Sequence, residues 1–235
     1  MVIEVINRKK RQLRRIVMDK SVRQDHKIEQ ILGFANKRKI PVKFVHRHAL
    51  DDMSVGGVHN GVIAFADPLP TYTTDQLIDD SFSADGYPFF MLADELNYEH
   101  NLGSILRSAA GAGVQGVIIP RKRGKGLTPI VQRVAMGGAE IVPVVREGIS
   151  SAISKLKKAG IRVVGADMNG TSLFEADLSG AVAIVMGGES KGLSSTLKNK
   201  CDAVVSIPLA NDLESLNVGV SAAILLYEKR RQDMT

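Results

Sequence analysis

The sequence predicts an α/β protein: a parallel sheet with helices on both faces, preceded by a small α/β domain. Three observations predict it. Beyond residue 88, near-continuous apolar runs alternate with segments of helical periodicity, as strands buried on both faces of a parallel sheet require. Around residues 67–87 the chain turns to Pro68, Pro70, many Thr, Ser and Asp, and an Asp85-Gly86 pair, which is linker chemistry. Charge is also uneven, with 14 Lys and Arg against 6 Asp and Glu in residues 1–66, and 17 against 19 in the remainder. The expected organisation is a domain over 1–67, a linker over 68–87 and a second domain over 88–235.

In the first domain, 13–18, 42–46 and 61–66 read as short strands. Between the first two, Ile28, Ile31, Leu32 and Ala35 recur at helical spacing within 25–38. In the second, strands are expected at 88–93, 115–119, 141–145, 161–166, 181–186 and 203–208. Helices are expected at 101–110, 128–137, 149–159, 192–200 and 215–231. Ligands of such sheets bind beyond the carboxyl ends of the strands. The Gly-rich turn G-G-E-S-K-G at 187–192 and the loop after 203–208 lie at such ends.

Composition narrows the function classes. The one cysteine, Cys201, excludes an internal disulfide framework and a Cys-based zinc cluster, and fits a reducing cytoplasm as a buried, inert thiol. No apolar run approaches the length that spans a bilayer, and no apolar signal-peptide segment follows the basic N-terminal residues. The basic first domain suits a polyanion, RNA or DNA, better than a membrane, because the basic run lacks a useful apolar face. Arg8, Lys9, Lys10, Arg11, Arg14 and Arg15 form that run. Arg121 and Arg123 join them as candidate RNA-binding residues. His46, His48 and His59 lack a carboxylate cluster at ligand spacing, so a surface or RNA-facing role is expected and no metal.

Two motifs mislead. G-A-G-V-Q-G at 111–116 matches a dinucleotide fingerprint, but here a helix precedes it and a strand follows, the reverse of what pyrophosphate binding needs. Gly111 and Gly113 read instead as a helix end and turn. The turn at 187–194 follows a strand and precedes a helix, yet Leu193 stands where a triphosphate loop requires Lys. Close backbone approach at Gly187 and Gly188 survives as its useful property.

Two further segments complete the candidate site. In N-Y-E-H-N-L-G-S-I-L-R-S-A at 97–109, Asn101 reads as a helix cap, and Leu102, Ile105, Leu106 and Ala109 as the buried stripe. Arg107 beside that stripe needs an anionic partner, either a salt bridge or a phosphate. In S-I-P-L-A-N-D-L-E-S-L-N-V at 206–218, Ser215, Leu216 and Asn217 open the last helix. If strands 181–186 and 203–208 are neighbours, Ser215 and Asn217 face the Gly187 turn. Ile207 and Leu216 then wall a nucleoside-sized pocket.

These segments resemble the SpoU/TrmH family of RNA 2′-O-methyltransferases. The family carries N-x-G-x-x-x-R, an apolar strand followed by G-x-E-x-x-G, and I-P-x with S-L-N-V opening the final helix. All three occur here in order, as Asn101/Gly103/Arg107, Gly187/Glu189/Gly192 and Ile207/Pro208/Ser215/Leu216/Asn217. The likeness covers 88–231. It continues more weakly into the N-terminal portion, including H-N-G-V at 59–62, which resembles the family's RNA-binding domain. The resemblance implies a C-terminal trefoil knot, a homodimer and S-adenosylmethionine as cofactor. It implies cofactor contacts at Gly187, Gly188, Ile207, Leu209 and Leu216, and a catalytic surround of Asn101, Arg107, Glu189, Ser215 and Asn217. The implied reaction is methyl transfer to a ribose 2′-hydroxyl, on rRNA in preference to tRNA; the competing class is a non-catalytic RNA-binding protein of the same fold. A guanidinium resists deprotonation, so phosphate binding and alkoxide stabilisation suit Arg107 better than general-base work. The chain departs from the family at Tyr98-Glu99, where Asp-Pro is usual, and at Ala135-Met136-Gly137, where Ser-Ala-Gly is usual.

Overall fold

A computed structural model describes residues 1–54, 57–122, 124, 126–188, 192–211 and 213–235. The chain forms two compact units, Met1–Pro70 and Thr71–Thr235. The first contains α1 (Val2–Arg8), β1 (Leu13–Asp19), α2 (His26–Lys37), β2 (Val42–Val45), α3 (Arg47–Ser54) and β3 (Val62–Ala66). Its sheet has the order β2-β1-β3, with β2 parallel and β3 antiparallel to β1. Asp25 starts α2 by accepting the Ile28 amide, which satisfies an otherwise orphaned helix donor. Ile28, Ile31 and Ala35 then pack with Ile6 of α1 and with Ile16 and Met18 of β1. The helices α1 and α3 are additions to the expected elements. Val2, Ile3 and Ile6 put an apolar stripe on α1 at helical spacing, which the neighbouring basic run obscures.

That basic run is split among three settings. Arg8 closes α1 and pairs with Glu4 at 3.7 Å. Arg14 grips Asp67 with two hydrogen bonds of 2.6 and 2.7 Å, and Arg15 lies 3.9 Å from the Phe65 ring centroid. Lys9 takes a left-handed conformation (φ 55°) as the chain turns toward β1. His59 differs from the surface or RNA-facing role expected of it. Its side chain is only 4% exposed. Nδ1 accepts the Gly61 amide at 3.0 Å, so Nε2 is the protonated nitrogen and donates to Asp51 at 2.9 Å. His59 thus ties the turn before β3 to α3.

The second unit contains α4 (Thr74–Phe82), β4 (Phe89–Ala93), α5 (Glu99–Ala112), β5 (Gly116–Ile119), α6 (Pro129–Val134), α7 (Gly138–Ile141), β6 (Val144–Arg146), α8 (Ile149–Lys158), β7 (Arg162–Ser172), β8 (Val182–Met186), α9 (Ser195–Lys198), β9 (Ala203–Ser206) and α10 (Val218–Asp233). All six strands are parallel, in the order β6-β5-β4-β8-β7-β9. Phe90, Leu92, Ala183 and Val185 point to one face, against Leu77 of α4, Ile153 and Leu156 of α8 and Leu197 of α9. The buried Phe89, Met91 and Ile184 belong to the opposite face, on which α10 packs against β8 and α5. Helices therefore cover both faces of a parallel sheet, as expected.

Several boundaries shift. The segment read as linker contains α4, started by a capping box between Thr73 and Gln76 and anchored by buried Leu77 and Ile78. Asp75, Asp79 and Asp80 form the exposed face of this short helix, and Ser81 is buried with its hydroxyl on the Ile78 carbonyl. The helix expected at 128–137 stops as α6 at Val134, because Met136 and Gly137 take left-handed conformations (φ 49° and 98°), and α7 follows as an unexpected short helix. Gly113, left-handed at φ 82°, ends α5, which disposes of the dinucleotide reading.

Cys201 is partly buried and its thiol is pushed up to about 11, first by burial and then by Asp202; its Sγ donates to the Leu197 carbonyl at 3.2 Å. It is the inert thiol anticipated. Glu147 joins α4 to α8. Burial alone would raise its carboxyl, but hydrogen bonds from Thr74, Lys155 and Ser151 hold it below the usual carboxylate range. A carboxyl depressed by folding contributes stability above its unfolded value, and that contribution is lost as pH falls through the folded one. The melting temperature is expected to drop between pH 5 and 3, and Glu147→Gln, less stable at neutral pH, should show a smaller drop over that window. Parallel curves for the two proteins in a calorimetric pH series would refute this role.

Candidate active site

The strand order reverses at the centre of the second sheet, and a cleft opens at the carboxyl ends of β8, β7 and β9. It measures about 670 Å³, within the usual span of roughly 300–1,000 Å³ for small-molecule sites. Met186, Val205, Ile207, Leu209, Leu216 and Leu225 make it apolar. Asn101, Asp167, Glu214, Ser215, Asn217 and Ser221 supply polar atoms, and Gly187, Gly188 and Gly192 bring backbone to its edge. All five expected cofactor residues, Gly187, Gly188, Ile207, Leu209 and Leu216, line this cleft. Asn101, Ser215 and Asn217 of the expected catalytic set line it too.

The condition set for that convergence fails, although the convergence occurs. Strands β8 and β9 are not neighbours; β7 pairs with both and lies between them. The 207–217 segment reaches the Gly187 turn because α10 must return from the sheet edge to pack on α5. Gly219 permits this packing, since a Cβ there would stand 3.0 Å from the Ser104 side chain.

The polar starts of the two helices also exchange roles. Tyr98, not Asn101, is the N-cap of α5, and Asn101 sits in its first turn. Asn217, not Ser215, caps α10: its Oδ1 accepts the Gly219 amide at 2.9 Å. Its Nδ2 donates to Asn101 Oδ1 at 3.0 Å. One amide thus starts the last helix and clasps the first motif to the third. Asn217→Ala removes both interactions. It is expected to lower thermal stability by about 1–2 kcal/mol, the typical value of a lost cap, and to weaken cofactor binding more than Ser215→Ala does. Denaturant titration and calorimetry check both effects.

The motif glycines have steric causes. A Cβ on Gly187 would lie 1.9 Å from the Gly192 carbonyl carbon and 2.1 Å from the Leu193 nitrogen. The main chain of the turn folds back onto the strand end, and Gly188 and Gly192 form an antiparallel bridge. Gly103 lets α6 approach α5, because a Cβ there would stand 2.6 Å from Val134 Cβ. Gly138 does the same for α7, with a Cβ 2.6 Å from the Leu106 carbonyl oxygen.

Arg107 is exposed on α5 and is not among the residues lining the cleft. It makes no salt bridge among the described residues, so the intramolecular pair is not found there. Glu189 and Arg123 lie outside the described residues. Arg121 is exposed, and its carbonyl accepts from Arg146 at 2.8 Å. At the two departures from the family, Tyr98 is 68% exposed and lines the cleft, and Met136 is exposed in the turn between α6 and α7.

Sequence reasoning missed the wall made by Ala166, Asp167 and Met168. Ala166 and Thr171 both pair with Val205, so residues 167–170 leave the β7 ladder as a bulge. The strand expected at 161–166 continues to Ser172, and Asn169-Gly170, just beyond the expected end, was the available signal of a bulge. A Cβ on Gly170 would stand 2.5 Å from the Val205 carbonyl carbon, so the bulge folds tightly against β9.

Residues 88–227 match the model of the SpoU rRNA methylase family, and residues 1–72 match that of an RNA 2′-O ribose methyltransferase substrate-binding domain. The chain belongs to the SpoU rRNA methylase family. It is 35% identical to the 23S rRNA (guanosine-2′-O-)-methyltransferase RlmB of Escherichia coli strain K12, over 89% of this chain and 87% of that protein. A crystal structure of an RNA 2′-O ribose methyltransferase superposes with a TM-score of 0.81 at 25% identity, covering all of this chain and 86% of the other. The AdoMet-bound rRNA methyltransferase of Sinorhizobium meliloti has the same fold, with a TM-score of 0.80 at 23% identity and coverage of 98% and 84%. As a SpoU methylase the chain is an S-adenosylmethionine-dependent RNA methyltransferase, as its three motifs implied. The cleft fits that cofactor: glycine backbone admits close approach, apolar walls suit an adenine, and polar groups at the rim suit a ribose and an amino-acid tail.

Proposed function

We propose that this chain transfers a methyl group from S-adenosylmethionine to a ribose 2′-hydroxyl of ribosomal RNA. The observation that carries this reading is the convergence of Asn101, Gly187, Ile207, Ser215, Leu216 and Asn217, drawn from three separated motifs, on one cleft. The naming of the Escherichia coli relative as a 23S rRNA guanosine-2′-O-methyltransferase supports the substrate class.

Bound S-adenosylmethionine supplies a methyl group made electrophilic by its sulfonium. The chain's own residues supply position and charge. Gly187 and Gly188 present backbone to the cofactor, and Ile207, Leu209 and Leu216 exclude water from it. Asn101, held by Asn217, fixes the substrate-facing lip, and Ser215 adds a hydroxyl there. Arg107 binds the phosphate next to the target ribose and stabilises the alkoxide as the 2′-hydroxyl gives its proton to solvent water. Positioning of this kind removes much of the entropic barrier to an in-line transfer.

Two further features belong to the reading. The first is the C-terminal trefoil knot, supported by the return of the chain from edge strand β9 past β7 to β8 and α5. The second is a homodimer, which gives Arg107, exposed outside its own cleft, a cleft to serve on the partner subunit. The unit Met1–Pro70 acts as the RNA-binding domain, with exposed Arg8, Lys9, Arg14 and Arg15 beside Lys10 and Arg11. A 2′-O-methylation map of cellular RNA, with and without the gene, tests the function. Loss of an rRNA mark is the expected result; loss of a tRNA mark alone would move the substrate, and an unchanged map would refute the activity.

A further inference from the structure

The bulge in β7 places a carboxylate in the cleft to which neither the motifs nor the proposed reaction gives a task. Asp167 lines the cleft although its side chain is only 10% exposed. Its Oδ1 accepts the Asn169 amide at 3.2 Å, and its Oδ2 lies 2.7 Å from Lys198 Nζ of α9. A carboxylate offers about four acceptor positions, so these two contacts orient the group without saturating it. The cleft is open beside it, for a Cβ added to Gly192 would meet nothing nearer than Asp167 Oδ2 at 3.9 Å. The glycine turn after β8 and the acidic residue in the β7 bulge therefore border one space.

In doubly wound sheets, an acidic residue near the end of a neighbouring strand accepts hydrogen bonds from a nucleoside ribose. The physical reason is general: two vicinal hydroxyls are donors, and a buried carboxylate is the strongest acceptor available. We propose that Asp167 is the ribose-reading residue of the cofactor site, its carboxylate accepting hydrogen bonds from the hydroxyls of the adenosyl ribose. Lys198 and the Asn169 amide position that carboxylate. The inference rests on the cofactor reading of the cleft and adds the residue that tells a ribose from a deoxyribose.

Calorimetry with S-adenosylhomocysteine and its 2′-deoxy and 3′-deoxy analogues tests it without any need for turnover. The wild-type protein is expected to bind at least one deoxy analogue about 10- to 100-fold more weakly than the parent, the range for a hydrogen bond to a charged group. Asp167→Ala should weaken the parent by a similar factor and bring the parent-to-analogue ratio near unity. Asp167→Asn preserves shape, and should reduce the ratio in the same direction. Lys198→Ala removes the ion pair but leaves the carboxylate, so it should keep the ratio. A merely structural pair would make the Asp167 and Lys198 variants behave alike. Wild-type binding with no discrimination, or discrimination that survives loss of Asp167, overturns the inference and leaves the cofactor reading intact. If the wild-type protein fails to bind S-adenosylhomocysteine at all, both fall.

Discussion

Gly187→Ala is expected to abolish S-adenosylmethionine binding and to destabilise the second unit. The added Cβ would meet the Gly192 carbonyl carbon at 1.9 Å, its oxygen at 2.0 Å and the Leu193 nitrogen at 2.1 Å. All three are main-chain atoms, so no side-chain rotation relieves the clash; the turn must open. Leu193 is buried in the core under β7 and β8, and displacing the turn pulls on it. The cost should exceed the roughly 1–3 kcal/mol of ordinary overpacking. Calorimetry with the cofactor and thermal unfolding measure the two effects. Gly188→Ala is the control, since its Cβ would come no nearer than 3.1 Å to the Glu95 side chain, with the Glu95 and Asp94 carbonyl oxygens at 3.4 and 3.7 Å. Similar losses of stability in both variants would show that the steric argument for Gly187 is wrong.

Arg107→Ala should do the opposite, leaving the cofactor site whole and stopping the reaction. Arg107 is solvent-facing and absent from the cleft wall, so its removal costs little stability and leaves cofactor affinity within about twofold. Methyl transfer should fall by about 100- to 1,000-fold, the usual consequence of removing one group that stabilises developing negative charge. Arg107→Lys should recover only part of the loss, because an ammonium cannot reproduce the bidentate geometry of a guanidinium on phosphate. A labelled-methyl assay with calorimetry on the same preparations separates the two quantities. Turnover at the wild-type rate would remove Arg107 from the mechanism. In the proposed homodimer, mixing Arg107→Ala with Gly187→Ala subunits should restore part of the activity, each supplying what the other lacks.

The elements of the second sheet were legible because buried parallel strands are almost wholly apolar, and β4 and β8 have no ambiguous residue. The motif residues of the cleft were legible through their spacing, and the wall at Ala166, Asp167 and Met168 was not. What escaped prediction depends on contacts distant in sequence. Strand order is invisible in periodicity, so β7 between β8 and β9 was unforeseen. Thr74–Phe82 looked like linker because its two buried apolar residues sit among Asp, Ser and Thr. Asn101 and Asn217 both line the cleft, but which of them caps a helix is set by the α5–α10 packing. His59 appeared to be a surface residue because its acceptor and donor partners, Asp51 and Gly61, carry no signature of burial.

The clasp between Asn217 and Asn101 spans 116 residues of chain, and this separation has a kinetic meaning. A contact so distant in sequence bears a large loop-closure cost before it is rewarded, and topologies rich in such contacts fold slowly. The cleft wall formed by Ile207, Leu209 and residues 214–218 is therefore expected to close late, after the sheet it rests on. A ligand recognising that wall finds no template in early intermediates and cannot hasten refolding. It acts instead on the reverse step: with the cofactor bound, the rate of unfolding falls while the rate of folding stays the same.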